Sequence, residues 1–287
     1  MIVSKLLNVL GAASILVLSA GGMALAVGDF HWGSDPDRPE RPAHWGYNPH
    51  RHDGPDHWGK LKKSDGNLAI PDCNGRMQSP ININATVDGA NVSISFNLKA
   101  TSLNVLNNGH TIQVDYKNGS TTMIDGVEWP LTALHFHTSS EHEFKGELML
   151  AEAHLVHIKT DGNVAVVGVL FKAGAANPVL QGMLEVLAAG RTGPHYERGL
   201  FLDPDERTVN PTDLLPEGYG LYTYSGSLTA PPCTEGVNWN VMRETMTVSR
   251  EQVEWFREIL DDVGHFRINN RPVQPLNGRV VTERLAD

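Results

Sequence analysis

The chain has 287 residues, 40% of them hydrophobic and 20% charged, with a formal charge of −10. That is enough apolar material for a sizeable core. The acidic balance excludes nucleic-acid recognition, which needs clustered Lys and Arg, and also a surface that clings to anionic lipid.

Residues 1–26 stand apart from the rest. Lys5 gives a positive start, an apolar stretch follows, and Ala24-Leu25-Ala26 supplies an A-x-A cleavage pattern, so an export signal peptide is expected here. Asn8, Gly11, Ser14, Ser19, Gly21 and Gly22 interrupt the apolar run, which argues against a retained anchor. No later stretch is apolar enough to span a bilayer, so no stable membrane insertion is expected after cleavage. The only cysteines, Cys73 and Cys233, form an even pair in an exported chain, which favours a disulfide. Closing so long a loop would stabilise the fold by about 4–5 kcal/mol on a chain-entropy estimate.

From Val27 to about Trp58 the composition turns to Pro, Gly, His, Asp and Arg. An irregular arm is expected over residues 27–43, ahead of one large domain over 44–287. Five histidines, His31, His44, His50, His52 and His57, raise the alternative of metal capture. A solvated arm whose Trp residues dock on the domain is the reading preferred here.

Beyond Leu68 the pattern is strand-rich. Val92 to Phe96 alternates apolar and polar residues. Leu103 to Leu106, the Asn107-Asn108-Gly109 turn and Thr111 to Tyr116 predict a hairpin. Met149 to Ile158 and Val164 to Phe171 predict two more strands around Asp161-Gly162. Leu180, Met183, Leu184 and Leu187 fit one helix face, and Ser249 with Gln252 makes a capping box ahead of Val253, Phe256, Ile259 and Leu260. The fold class expected is α+β, mainly β: a single domain on a large, mostly antiparallel twisted central sheet with short peripheral helices.

Within Leu134-His135-Phe136-His137 the strand period puts both histidines on one face. A lone His-x-His is weak, but Glu152-Ala153-His154 alternates in the same way, and the short link from Thr138 to Gly146 permits antiparallel pairing that brings His154 opposite the first pair. Three neutral imidazoles leave a fourth tetrahedral corner for water. Zn2+ is the natural ion for such ligation, although spacing alone admits other divalent metals.

The sequence resembles the alpha-class carbonic anhydrases, especially exported bacterial members. The resemblance runs from His44-Trp45-Gly46-Tyr47 through Gln78-Ser79-Pro80-Ile81, Leu106-Asn107-Asn108-Gly109-His110, His135-Phe136-His137, Ser140-Glu141-His142, Glu152-Ala153-His154-Leu155-Val156-His157 and Gly226-Ser227-Leu228-Thr229-Ala230-Pro231-Pro232-Cys233 to Arg271-Pro272-Val273-Gln274-Pro275-Leu276. It implies His135, His137 and His154 as zinc ligands and Glu152 as the carboxylate orienting His154. Thr229 and Glu141 would aim the nucleophile, and His110 would carry protons out. Asn108 and Gln113 would order the intervening water, with Val156, Val166, Leu228, Val237 and Trp239 as the apolar wall that holds CO2. His142 and His157 are expected to be structural, and His195 and His265 to sit in loops.

The implied reaction is hydration of CO2 to bicarbonate, in the periplasm or the extracellular medium, with a homodimer left open. The sequence departs from the family at Ala133, where a Gln often bonds the first ligand, at Leu134 and at Ala230. Three alternatives remain: a zinc hydrolase acting on esters at the same site, a non-catalytic binding protein on the same fold, and zinc storage by the arm.

Overall fold

The computed structural model describes residues 44–103, 105–191 and 208–286. The leader at 1–26, the arm at 27–43 and His195 lie outside them.

One mixed sheet of twelve strands organises the chain. Its strands are β1 (Val87–Asp88), β2 (Ile94–Asn97), β3 (Val105–Asn107), β4 (Ile112–Asp115), β5 (Thr121–Ile124), β6 (Val127–His137), β7 (Ala151–Ile158), β8 (Val164–Ala173), β9 (Leu221–Ser227), β10 (Glu235–Met242), β11 (Met246–Val248) and β12 (Thr282–Arg284). The main path runs β1-β12-β9-β10-β8-β7-β6-β4-β3, with β11 beside β8 and β5 between β2 and β6. Most pairs are antiparallel; β8 runs parallel to β10 and β11, and β12 parallel to β1.

β6 to β8 lie at the centre, with residues of both faces buried along most of β7 and β8. Ala151, Ala153 and Leu155 of β7, Leu134 and Phe136 of β6, and Val167, Val169 and Phe171 of β8 join one core, which α1 (Pro178–Arg191) and α2 (Arg250–Gly264) cover. The alternate residues Ala133, Val156, Val166, Val237, Trp239 and Val241 line the opposite face. Strand periodicity thus sorts one sequence into a helix-covered face and a face that carries the site.

The helices were legible from their faces and caps. Leu180, Met183 and Leu184 are buried on α1. On α2 the Ser249 hydroxyl accepts from Gln252 N at 3.2 Å, while the Gln252 side chain accepts from Ser249 N at 3.3 Å. Such a cap stabilises by about 1 kcal/mol. Gln252 also donates to Asn177 O at 2.8 Å, which ties α2 to the start of α1.

The chain at 44–58 docks through its aromatic rings. Trp58 is fully buried and donates from Nε1 to Gly46 O and Asp53 O, both at 3.1 Å. Cys73 and Cys233 are joined in a disulfide across 160 residues of sequence.

Candidate metal centre

β6 and β7 pair so that His154 stands opposite His135 and Glu152 opposite His137. The three histidines share one sheet face, and one ring nitrogen from each lies within 4.8 Å of the others. His44, His50, His52 and His57 join no such group among the described residues.

Hydrogen bonds decide which nitrogens are free. His154 Nε2 lies 2.9 Å from Glu152 Oε1; an ionised carboxylate only accepts, so Nε2 carries the proton and Nδ1 keeps its lone pair. His137 Nδ1 donates to Asn269 O at 2.6 Å, which leaves Nε2 as an acceptor; that atom is buried without a hydrogen-bond partner. His154 Nδ1 and His135 Nε2 are 3.3 Å apart. Tetrahedral nitrogens about 2.0–2.1 Å from zinc stand about 3.3–3.4 Å from one another, so the spacing fits the ion. Burial, then the neighbouring histidines, holds His135 well below the usual imidazole range and pushes His137 down to about 3. Neutral rings with converging lone pairs suit a divalent cation.

Glu152 anchors more than His154. Its Oε2 accepts from the backbone of Glu141 at 2.9 Å and of His142 at 2.8 Å, and its Oε1 also accepts from His142 Nδ1 at 2.7 Å. Burial works to raise its pKa, but His142 and His154 outweigh it and hold the carboxylate well below its usual range. With Nδ1 donating, His142 Nε2 accepts from Tyr224 OH at 2.7 Å, and that hydroxyl in turn meets Ser79 Oγ at 2.8 Å. Ser79 Oγ accepts from Ser227 N at 3.0 Å, so the chain of bonds ends two residues before Thr229. Gly226 makes this possible, because a Cβ there would sit 2.1 Å from Ser79 Oγ.

Thr229 lies in a turn closed by Leu228 N to Thr234 O at 3.0 Å and Cys233 N to Ala230 O at 2.9 Å. Gln78 Nε2 donates to Cys233 O at 3.1 Å, so this turn is held by a side-chain bond as well as by the disulfide. Glu141 is fully buried, with Oε1 accepting from Arg271 N at 2.8 Å and Oε2 3.5 Å from His137 Nε2. Burial pushes its pKa well up, while the Arg271 N–H and the nearby Thr229 hydroxyl favour its charged form; Oε2 is buried without a hydrogen-bond partner.

The expected apolar wall is contiguous. Val156 pairs with Val166, and Val166 with Trp239, across three neighbouring strands. Val237 shares their cluster and Leu228 packs against it. The Trp239 ring lies 4.9 Å from that of His154, so this apolar cluster reaches the three histidines.

His110 follows the predicted turn. Its ring stacks on Trp45 with centroids 3.8 Å apart, and its Nε2 lies 3.1 Å from Trp45 O. Burial lowers its pKa. Asn108 Oδ1 accepts from the backbone of His110 and of Thr111, both at 2.9 Å, so it shapes the turn. Gln113 stands opposite His135 across the β4–β6 pair and donates to Asp115 Oδ1 at 2.6 Å. Ala133 provides no acceptor for His135, and no hydrogen bond to His135 Nδ1 forms among the described residues. His157 faces the helix side, 2.8 Å from Thr122 Oγ1, and His265 caps α2 in a left-handed conformation.

Sequence reasoning missed Asn269, which holds His137, and Tyr224, which links His142 to Ser79. Neither carried a local signal. Arg271, Ser79 and Trp45 lay within the motifs that carry the family resemblance, but their contacts did not follow from spacing.

Fold and site together define a wide-sheet protein with a three-histidine centre suited to a divalent ion. The family model for eukaryotic-type carbonic anhydrase matches residues 53–285. A carbonic anhydrase of Neisseria gonorrhoeae is 38% identical over 212 residues, covering 73% of this chain and 78% of that protein. A hyperthermostable carbonic anhydrase from an active hydrothermal vent chimney superposes with a TM-score of 0.72 at 41% identity, over 84% of this chain and all of that one. The alpha-carbonic anhydrase of Thermovibrio ammonificans, solved with the inhibitor sulfanilamide, gives 0.69 at 41% identity, over 84% and 99% of the two chains. The chain belongs to the alpha carbonic anhydrase family, and its enzyme class is carbonic anhydrase.

Proposed function

We propose that this chain holds Zn2+ through His135 Nε2, His137 Nε2 and His154 Nδ1 and uses it to hydrate CO2 reversibly to bicarbonate and a proton. The observation that carries the proposal is the convergence of these nitrogens, one of them buried and without a hydrogen-bond partner. Zinc supplies Lewis acidity, which makes a water acidic enough to yield a nucleophile near neutral pH.

The chain's own groups do the rest. Glu152 and Asn269 O fix the tautomers of His154 and His137, so both present lone pairs to the same point. Glu141 in its ionised form can only accept, so the Thr229 hydroxyl donates to it and turns an oxygen lone pair toward the site. This one-way bond orients the attacking water. Val156, Val166, Leu228, Val237 and Trp239 offer CO2 a dry wall beside the histidines. His110 accepts the proton through water, ordered by Asn108 and Gln113, and passes it to buffer.

The same reading takes residues 1–26 as a cleaved leader, 27–43 as an arm, 44–287 as the catalytic domain and the periplasm as its location. The Cys73–Cys233 disulfide supports an oxidising compartment. No helix among the described residues is long and apolar enough to cross a membrane.

The test is a pair of variants. His154→Ala should lose zinc and activity together, whereas His110→Ala should keep zinc and slow turnover mainly in weak buffer. A zinc-free yet fully active His154→Ala would overturn the metal assignment.

A further inference from the structure

The turn that carries His110 is held from a direction unrelated to the histidine strands. Asn107 Oδ1 accepts from Gly109 N at 3.0 Å, and Asn107 Nδ2 donates to Ile259 O of α2 at 2.9 Å. One turn further along α2, its last residue, Gly264, packs directly on this loop. A Cβ on Gly264 would lie 2.2 Å from Gly109 O and 2.8 Å from two ring atoms of Phe266. Gly109 itself is at φ 84°, a region in which an L side chain is strained. Neither backbone can therefore give way through a side-chain rotamer. Beyond the turn, the His110 ring rests on Trp45, with Phe266 6.1 Å away on the segment that follows α2.

We infer that Gly264, with the Asn107–Ile259 bond, is a positioning element for His110: the bare end of α2 sets where the Asn107–His110 turn sits and so where the imidazole can reach. A methyl group at 264 must displace the turn by about 1 Å, a shift large enough to slow a positioned transfer step. The catalytic consequence rests on reading His110 as the proton acceptor; the positioning itself does not.

The experiment uses the zinc-loaded mature protein as wild type, Gly264→Ala, Asn107→Asp and His110→Ala. Asn107→Asp keeps the acceptor for Gly109 N and replaces the donor to α2 with a carboxylate oxygen facing Ile259 O, so it breaks the same tie and stands in if Gly264→Ala fails to fold. CO2 hydration is measured in dilute buffer and in concentrated imidazole, and the His110 ring resonances are followed by NMR. Gly264→Ala and Asn107→Asp should keep zinc, turn over roughly tenfold more slowly in dilute buffer and recover in imidazole. They should also lose the upfield ring-current shift that stacking on Trp45 gives His110. Unmoved His110 resonances in both variants would overturn the positioning. A His110→Ala enzyme as fast as wild type in dilute buffer would instead overturn the proton-acceptor reading and the rate effect that depends on it, while the resonances still decide where the turn sits.

Discussion

Glu152 Oε1 accepts from His154 Nε2 at 2.9 Å and from His142 Nδ1 at 2.7 Å, so one oxygen fixes the tautomers of two rings. The free Nδ1 of His154 follows from this bond, and so does the direction of the Tyr224 hydroxyl. Glu152→Gln would set an amide donor or a neutral acceptor against donors that now meet a charge. Zinc affinity should fall roughly 10–100-fold. Competition against a chromophoric chelator measures it, and an unchanged affinity would contradict the orienting role.

Among the described residues, His135 has no acceptor like those that hold its two partners. Ala133 stands two residues before it on the same face of β6, within reach of a longer side chain. Ala133→Gln should offer an amide oxygen to His135 Nδ1 and slow zinc loss by up to about tenfold. Zinc release timed in excess chelator decides it; equal or faster release would show that His135 needs no protein acceptor.

His157, on the helix-covered face, should make stability sensitive to acid. Burial pushes its pKa down to about 4, outweighing the backbone groups of Leu155 and Ala165 that favour the charged ring. The unfolded chain takes up this proton as pH falls below about 6.5, the folded chain only near 4, so the unfolded state binds more protons between them. This contribution is fully present above that window and is lost as pH falls through it, on the order of 3 kcal/mol in total. His157→Gln should flatten the dependence by about one proton. Urea midpoints of the metal-free proteins at several pH values in the window give the slopes; parallel slopes would contradict the assignment.

The disulfide should matter for the fold and for the Thr229 turn alike. Replacing Cys73 and Cys233 by Ser should lower stability by about 4–5 kcal/mol, as expected for releasing so long a loop. Guanidinium unfolding of the double variant measures it, and a loss below about 1 kcal/mol would mean that the surrounding hydrogen bonds hold the turn alone.

Much of this was legible in the sequence because strand periodicity is strict. His135, His137, Glu152 and His154 alternate at a spacing of two, and one short link set their pairing. The capping box at Ser249 and the turn before His110 were equally local signals. Asn269 and Tyr224 were not legible: each acts through one bond to a residue more than 80 positions away, and such closures depend on packing that no local pattern records. The roles of Arg271 and Gly264 were hidden for the same reason. Arg271 is buried, with its guanidinium on Gln78 Oε1 at 2.9 Å and Ser79 O at 2.8 Å, contacts that span more than 190 positions.

The most direct measurement is stopped-flow CO2 hydration by the purified protein, with its zinc content determined and a chelated control. One zinc per chain, rapid hydration, loss of activity on chelation and its return with zinc are the expected results. A folded protein that takes up no metal at His135, His137 and His154, or that takes it up and leaves CO2 hydration at the uncatalysed rate, would contradict the proposed function.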